Sequence, residues 1–178
     1  MPLVRQRRIR YVWPMGMFDL ISLLSGNEID YVLVGGLAVA LHGYARNTMD
    51  VDVVMAMDPE NLERFIASAK AAALRPMLPV PIESLANPAL IDQWHREKGM
   101  LAFSLRGPEA QATVIDILVR PAVPYAELRR DAVSIEIGDW RVPVASIEHL
   151  IAMKRSTGRS RDAIDVEELE KLRARGRT

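Results

Sequence analysis

The stretch Gly35 to Met55, GGLAVALHGYARNTMDVDVVM, constrains the fold of this chain more than any other. A diglycine turn, a short apolar segment, a polar loop and a strand with acids at alternate positions follow one another within it. Side chains alternate between the two faces of a β-strand, so Asp50 and Asp52 point to one side, about 6 to 7 Å apart, and Val51, Val53 and Met55 to the other. Two same-side carboxylates on a rigid strand can hold a divalent cation between them. The glycines upstream let backbone approach a phosphate closely. The order therefore predicts a phosphate-and-metal site.

Apolar periodicity and turn residues place the remaining elements. Met17 to Ser25 reads as an amphipathic helix with Phe18, Ile21 and Leu24 on its apolar side, stopped by Gly26 and Asn27. Tyr31 to Val34 is short and rich in β-formers, a buried strand that delivers its end to Gly35 and Gly36. Leu37 to Leu41 reads as a short buried helix with Gly43 as a left-handed cap, and Tyr44 to Met49 as a loop. Asp58 and Pro59 open a helix with Leu62, Phe65, Ile66 and Ala69 on one stripe. Three prolines in Arg75 to Pro81 exclude helix or central strand and suggest a connector over the site.

Ile82 to Lys98 reads as a helix broken near Asn87 and Pro88. Met100 to Leu105 and Ala112 to Val119 read as an antiparallel pair turning at Gly107 and Pro108. Tyr125 to Arg130 is a helical turn, and Ala132 to Ile137 with Trp140 to Val144 is a hairpin about Gly138 and Asp139. Ser146 caps a helix that Gly158 ends, and a charged helix with Ile164 and Leu169 on its sparse stripe closes the chain at the edge of the domain.

Within the second strand of the antiparallel pair, Val114, Asp116 and Leu118 share a face. If this strand neighbours Asp50 and Asp52 in register, three carboxylates converge, and repulsion and desolvation make that arrangement costly without a counter-ion. Oxygen-only ligation favours Mg²⁺ or Mn²⁺ over zinc, and Mg²⁺ commonly takes one or two carboxylates plus substrate phosphates. Arg46 and Thr48 either bind phosphate or shape the loop. Lys154 either acts as a point charge on a triphosphate or pairs with Asp162 or Asp165. His42, His95 and His149 are scattered and suggest no zinc site.

The whole chain sets broader limits. At 178 residues and 49% hydrophobic, it can bury a continuous core, and one domain over 16–178 is expected behind a basic leader, 1–15, with Arg5, Arg7, Arg8 and Arg10. Lys and Arg total 23 and Asp and Glu total 23, so no global field favours nucleic acid or anionic membranes. The absence of Cys excludes disulfides and thiolate ligands and fits a reducing compartment, with the cytoplasm as the default. No apolar run suits a signal peptide or a membrane helix. Oligomeric state cannot be read.

The motif Val34-Gly35-Gly36, thirteen residues, then Asp50-Val51-Asp52, with Asp116 as a later acid, resembles the nucleotidyltransferase superfamily related to DNA polymerase β. The Arg46-x-Thr48-x-Asp50-x-Asp52 run and the tail Lys154...Gly158-Arg159...Asp162...Asp165 are more closely similar to AbiEii-type and related minimal nucleotidyltransferases of bacterial toxin-antitoxin and phage-defence systems. The resemblance spans about Tyr31 to Leu169. It implies an α+β (mixed α/β) nucleotidyltransferase fold, a mixed sheet flanked by helices, with metal held by Asp50, Asp52 and Asp116. It also implies binding of an NTP, ATP among them, and transfer of NMP with loss of pyrophosphate to an acceptor that is RNA such as a tRNA end, a protein or a small molecule. By the same resemblance Gly35 and Gly36 face the triphosphate, Asp116 helps deprotonate or orient the acceptor, and a toxin or antitoxin partner lies on another chain. Many relatives carry Ser where Gly36 stands, which leaves backbone donors alone at that point. A different class remains open: a partner protein of weak or no activity that keeps the fold for binding.

Overall fold

The computed structural model describes residues 15–176; the leader arginines lie outside the described residues. Seven strands form one mixed sheet: β1 (Tyr31–Val34), β2 (Asp50–Met55), β3 (Arg75–Pro76), β4 (Ala102–Arg106), β5 (Val114–Leu118), β6 (Val133–Ile137) and β7 (Trp140–Val144), in spatial order β3-β4-β5-β2-β1-β7-β6. The helices are α1 (Met17–Gly26), α2 (Gly35–Leu41), α3 (Pro59–Ala71), α4 (Pro88–Lys98), α5 (Tyr125–Arg130), α6 (Ile147–Thr157) and α7 (Ser160–Arg175).

The central strands are apolar because both faces of the sheet are covered. All four residues of β1 are buried, and Val51, Val53, Ile115 and Ile117 are fully enclosed. A single apolar cluster extends from these strands to Leu20, Ile21 and Leu24 of α1, Phe65 of α3 and Leu150 of α6. Met15 belongs to it, and its carbonyl accepts from the Thr113 amide at 2.8 Å.

The caps follow their sequence signals. Asp58 accepts from the Asn61 amide at 3.0 Å, Asn87 from Leu90 at 3.1 Å and Ser146 from His149 at 3.3 Å, each satisfying a first-turn donor. The break at Asn87 and Pro88 separates a 3₁₀ turn, Ile82–Ala86, from α4.

Four expectations need correction. Phe18 is 69% exposed; Leu20 takes the inward place beside Ile21 and Leu24. α2 starts at Gly35, two residues before the expected Leu37, while at its other end Gly43 follows the cap residue His42 with the positive φ (109°) expected of a terminating glycine. Arg75 and Pro76 form an outer edge strand, separated from β2 by two intervening strands, and none of 75–81 lines the site cavity; prolines suit an edge, where missing donors go unnoticed. Ile164 is 55% exposed, because the inward face of α7 carries Asp162, Asp165 and Leu169.

Candidate active site

β2 is central, antiparallel to β1 on one side and parallel to β5 on the other. Its register places Asp52 opposite Val34 of β1 and opposite Asp116 of β5. Asp52 and Asp116 thus occupy neighbouring strands at the same level, with backbones about 5 Å apart. Their side chains share a cavity of about 730 Å³ with Asp50, Gly35, Gly36 and Lys154. The parallel pairing requires a long crossover, which the chain makes through α3, α4 and β4. This is why an acid 64 positions from Asp52 arrives beside it.

The turn after β1 is shaped around Asp52. Gly35 has φ 66°, a conformation that favours glycine, and a Cβ there would collide with the Asp52 carboxylate. The Gly36 amide donates to that same carboxylate. The diglycine therefore serves the acid directly, in addition to any approach it allows to a phosphate. Burial, reinforced by the charge of Asp116, pushes the Asp52 carboxyl up to about 6, against the Gly36 hydrogen bond. Asp50, more exposed at the strand's start, is also raised, by burial and then by Asp116. Asp116 Oδ1 is buried without a hydrogen-bond partner.

This is a strained set of carboxylates, and its chemistry fits a hard cation: oxygen donors, mutual repulsion and an orphaned buried oxygen. Among the described residues, no three His, Asp or Glu side chains stand close enough to form a ready-made metal cage. The fit is that of an ion held by a carboxylate pair and completed by oxygens from a substrate, the usual habit of Mg²⁺.

Opposite the acids, α6 and α7 supply a charged wall. Lys154 Nζ lies 2.7 Å from both Asp162 and Asp165, and Arg46 pairs with Asp165 as well. Burial opposes ionisation of Asp162, but hydrogen bonds from Lys154 and Thr157, with the charges of Lys154 and Arg159, hold its carboxyl below the usual range. The ion-pair reading of Lys154 is the one the structure shows, and Lys154 lines the cavity at the same time. Arg46 and Thr48 reach the cavity from the loop before β2. Arg120, Thr157, Arg159 and Ser160 line it too. The tail motif in the sequence contained Arg159 without giving it a place in the site, and nothing in the sequence singled out Arg120, Thr157 or Ser160. His42 donates to the Ala145 carbonyl at 2.8 Å and His95 bonds the Met100 carbonyl at 2.9 Å, both structural roles.

A diglycine turn against a strand acid, a second acid in register on a parallel neighbour and a wall of paired charges lie together on a mixed sheet of the nucleotidyltransferase fold. Solved structures agree. The chain is similar to the lincosamide antibiotic adenylyltransferase LnuA, in a lincomycin-bound crystal structure, at 15% identity and a TM-score of 0.57 over 87% of this chain and 94% of that one. It is also similar to the antibiotic-resistance factor ANT(2'')-Ia in solution, at 14% identity and a TM-score of 0.53 over 89% and 87%. No curated protein matches the sequence significantly. The sequence profile described as "Nucleotidyl transferase AbiEii toxin, Type IV TA system" matches residues 20–176, so the chain belongs to the AbiEii nucleotidyltransferase family. It is a nucleotidyltransferase, a transferase of NMP groups, from a toxin-antitoxin family. Among the described residues no helix is long and apolar enough to cross a membrane.

Proposed function

We propose that residues 16–178 act as one catalytic unit that moves NMP from an NTP to an acceptor hydroxyl, depends on a divalent cation and releases pyrophosphate. The observation that carries this reading is the register pair Asp52 and Asp116, desolvated together with one Asp116 oxygen left partnerless. Asp52 and Asp116, with Asp50 at the mouth, would hold Mg²⁺ or Mn²⁺. When bound, that cation neutralises phosphate charge and polarises the reacting phosphoryl group.

The chain's own groups account for the remaining work. Gly35 and Gly36 keep the strand-to-helix turn free of side chains, so that the triphosphate can lie against it. Lys154 and Arg46, already oriented by Asp162 and Asp165, face the phosphate charge as fixed cations. Asp116 would orient the acceptor hydroxyl and take its proton. The acceptor oxygen forms a bond to the α-phosphorus, the bond to the bridging α–β oxygen breaks, pyrophosphate carries away that electron pair, and the proton passes to the carboxylate. Catalysis of this type is mainly positioning and charge neutralisation.

ATP is one candidate donor, given the adenylyltransferase among the structural neighbours. The acceptor is an RNA end, a protein side chain or a small molecule, and an antitoxin chain is the expected partner in the cytoplasm. A fold kept only for binding another protein would leave the half-buried carboxylate pair without a purpose.

The test is incubation of the protein with each of four α-³²P-labelled NTPs, Mg²⁺ or Mn²⁺ and a cell extract. Wild type labels an acceptor from at least one NTP. The Asp50→Ala, Asp52→Ala double variant falls by at least about a hundredfold, on the scale of losing electrostatic stabilisation of a transition state. Equal labelling by both proteins would sink the reading.

A further inference from the structure

Gly35 needs to be glycine because of its backbone and the Asp52 carboxylate, but Gly36 does not share the first reason: its φ is not positive. It is buried, and a Cβ there would stand 2.8 Å from Thr48 Oγ1, 3.2 Å from Thr48 Cβ and 3.2 Å from Arg46 Cζ. The space that a side chain of residue 36 would occupy is filled by two side chains from the loop 44–49. Both line the cavity that holds Asp50, Asp52 and Asp116.

Thr48 is loosely engaged there. Its hydroxyl reaches the Asp50 carbonyl at 3.5 Å, the outer limit of a hydrogen bond, so a better acceptor can draw it away at little cost. Its β-branch restricts χ1, which keeps the hydroxyl near one direction. Arg46, by contrast, is tied to Asp165.

We propose that Thr48 Oγ1 is this chain's hydroxyl donor to the NTP triphosphate, standing where a side-chain hydroxyl on residue 36 would otherwise reach. Gly36 is glycine because the two side chains exclude each other. The inference rests on the nucleotide reading above and extends it, since that reading requires no hydroxyl at this point. The hydroxyl donates its proton to a non-bridging phosphate oxygen, in the cavity that Thr48 and Arg46 line together with the acids.

The two positions are tested by exchanging the hydroxyl between them. Calorimetry measures binding of the α,β-methylene analogue of each of the four NTPs, with Mg²⁺, to the full chain, and thermal unfolding is followed in parallel. Thr48→Val keeps the shape and removes the donor: affinity falls about tenfold with little change in melting temperature, the value of one hydrogen bond to a charged group. Thr48→Ser stays within about threefold of wild type, since it keeps the hydroxyl. Gly36→Ser alone weakens binding about tenfold by displacing Thr48, and adding Thr48→Ala restores it to within about threefold, because non-additivity is the mark of two groups sharing one place. Unchanged affinity in Thr48→Val, or a double variant no better than Gly36→Ser, overturns the proposal while leaving nucleotide binding intact. Should Gly36→Ser fail to fold, the contrast between Thr48→Val and Thr48→Ser decides alone. Failure of wild type to bind any of the four analogues would instead overturn the nucleotide reading itself.

Discussion

Asp52 is the residue whose environment departs furthest from what its sequence position suggests. Its carboxyl titrates near 6 in the fold because burial and Asp116 disfavour its charge, against an ordinary value of 3.8. A raised acid binds its proton more tightly when folded, so between about pH 4 and 6 the native state holds more protons than the unfolded chain. Stability contributed by the protonated form is therefore present below about pH 4 and is lost as pH rises through 6. In metal-free protein, Asp52→Asn should be more stable than wild type at pH 8, by up to about 2 kcal/mol, and the gap should close below pH 4. Urea unfolding at the two pH values in the presence of EDTA checks this; a gap that widens on acidification would contradict the assigned cause. The alternation of Asp50 and Asp52 on one strand face was legible from the sequence. That Gly36 donates to Asp52, and that Gly35 exists to make room for it, was not, because both depend on how β1 and β2 register.

At the scale of the elements, α7 illustrates where periodicity misleads. Apolar spacing offered Ile164 and Leu169 as its inward stripe, yet the helix turns Asp162 and Asp165 inward and leaves Ile164 in water. Partners decide the orientation. Lys154 on α6 and Arg46 on the loop before β2 provide two cations for two acids, and buried charges persist only when paired. Asp165, only 3% exposed, bonds both cations and so joins three segments that are distant in sequence. Asp165→Ala should lower unfolding free energy by about 3 kcal/mol, the usual cost of removing one partner of a buried pair, and it should speed amide exchange in 160–176 and the Arg46 loop together. Hydrogen exchange followed by mass spectrometry measures both at once, and protection lost in α7 alone would mean that Asp165 does not couple them. Elements with local stop and start signals, such as α3 between Asp58 and Ala72 or the hairpin at Gly138, needed no such help.

For the molecule as a whole, the site lies where a parallel contact between β2 and β5 crosses the middle of the sheet. An ion bound there would link two strands that the chain connects only through about sixty residues, so ligation and global stability should be coupled. Mg²⁺ at ten times its dissociation constant should stabilise wild type by about 1.4 kcal/mol and leave Asp52→Asn, Asp116→Asn unaffected. Melting temperature against Mg²⁺ concentration, with Ca²⁺-free buffer, reads this directly; equal shifts in both proteins would place the ion elsewhere.

The amino-acid sequence by itself determined most elements and the face on which each acid lies, because these depend on dihedral preferences, caps and a two-residue period acting over a few positions. It also carried the family likeness, since the glycines and the Asp50-Val51-Asp52 triplet belong to one short segment. The tertiary structure alone decided that Asp116 meets Asp52, that Arg46 and Lys154 share the acids of α7, and that Thr48 fills the space above Gly36. Those outcomes depend on strand order and on burial, which arise only when distant segments compete for the same space and the same counter-charge.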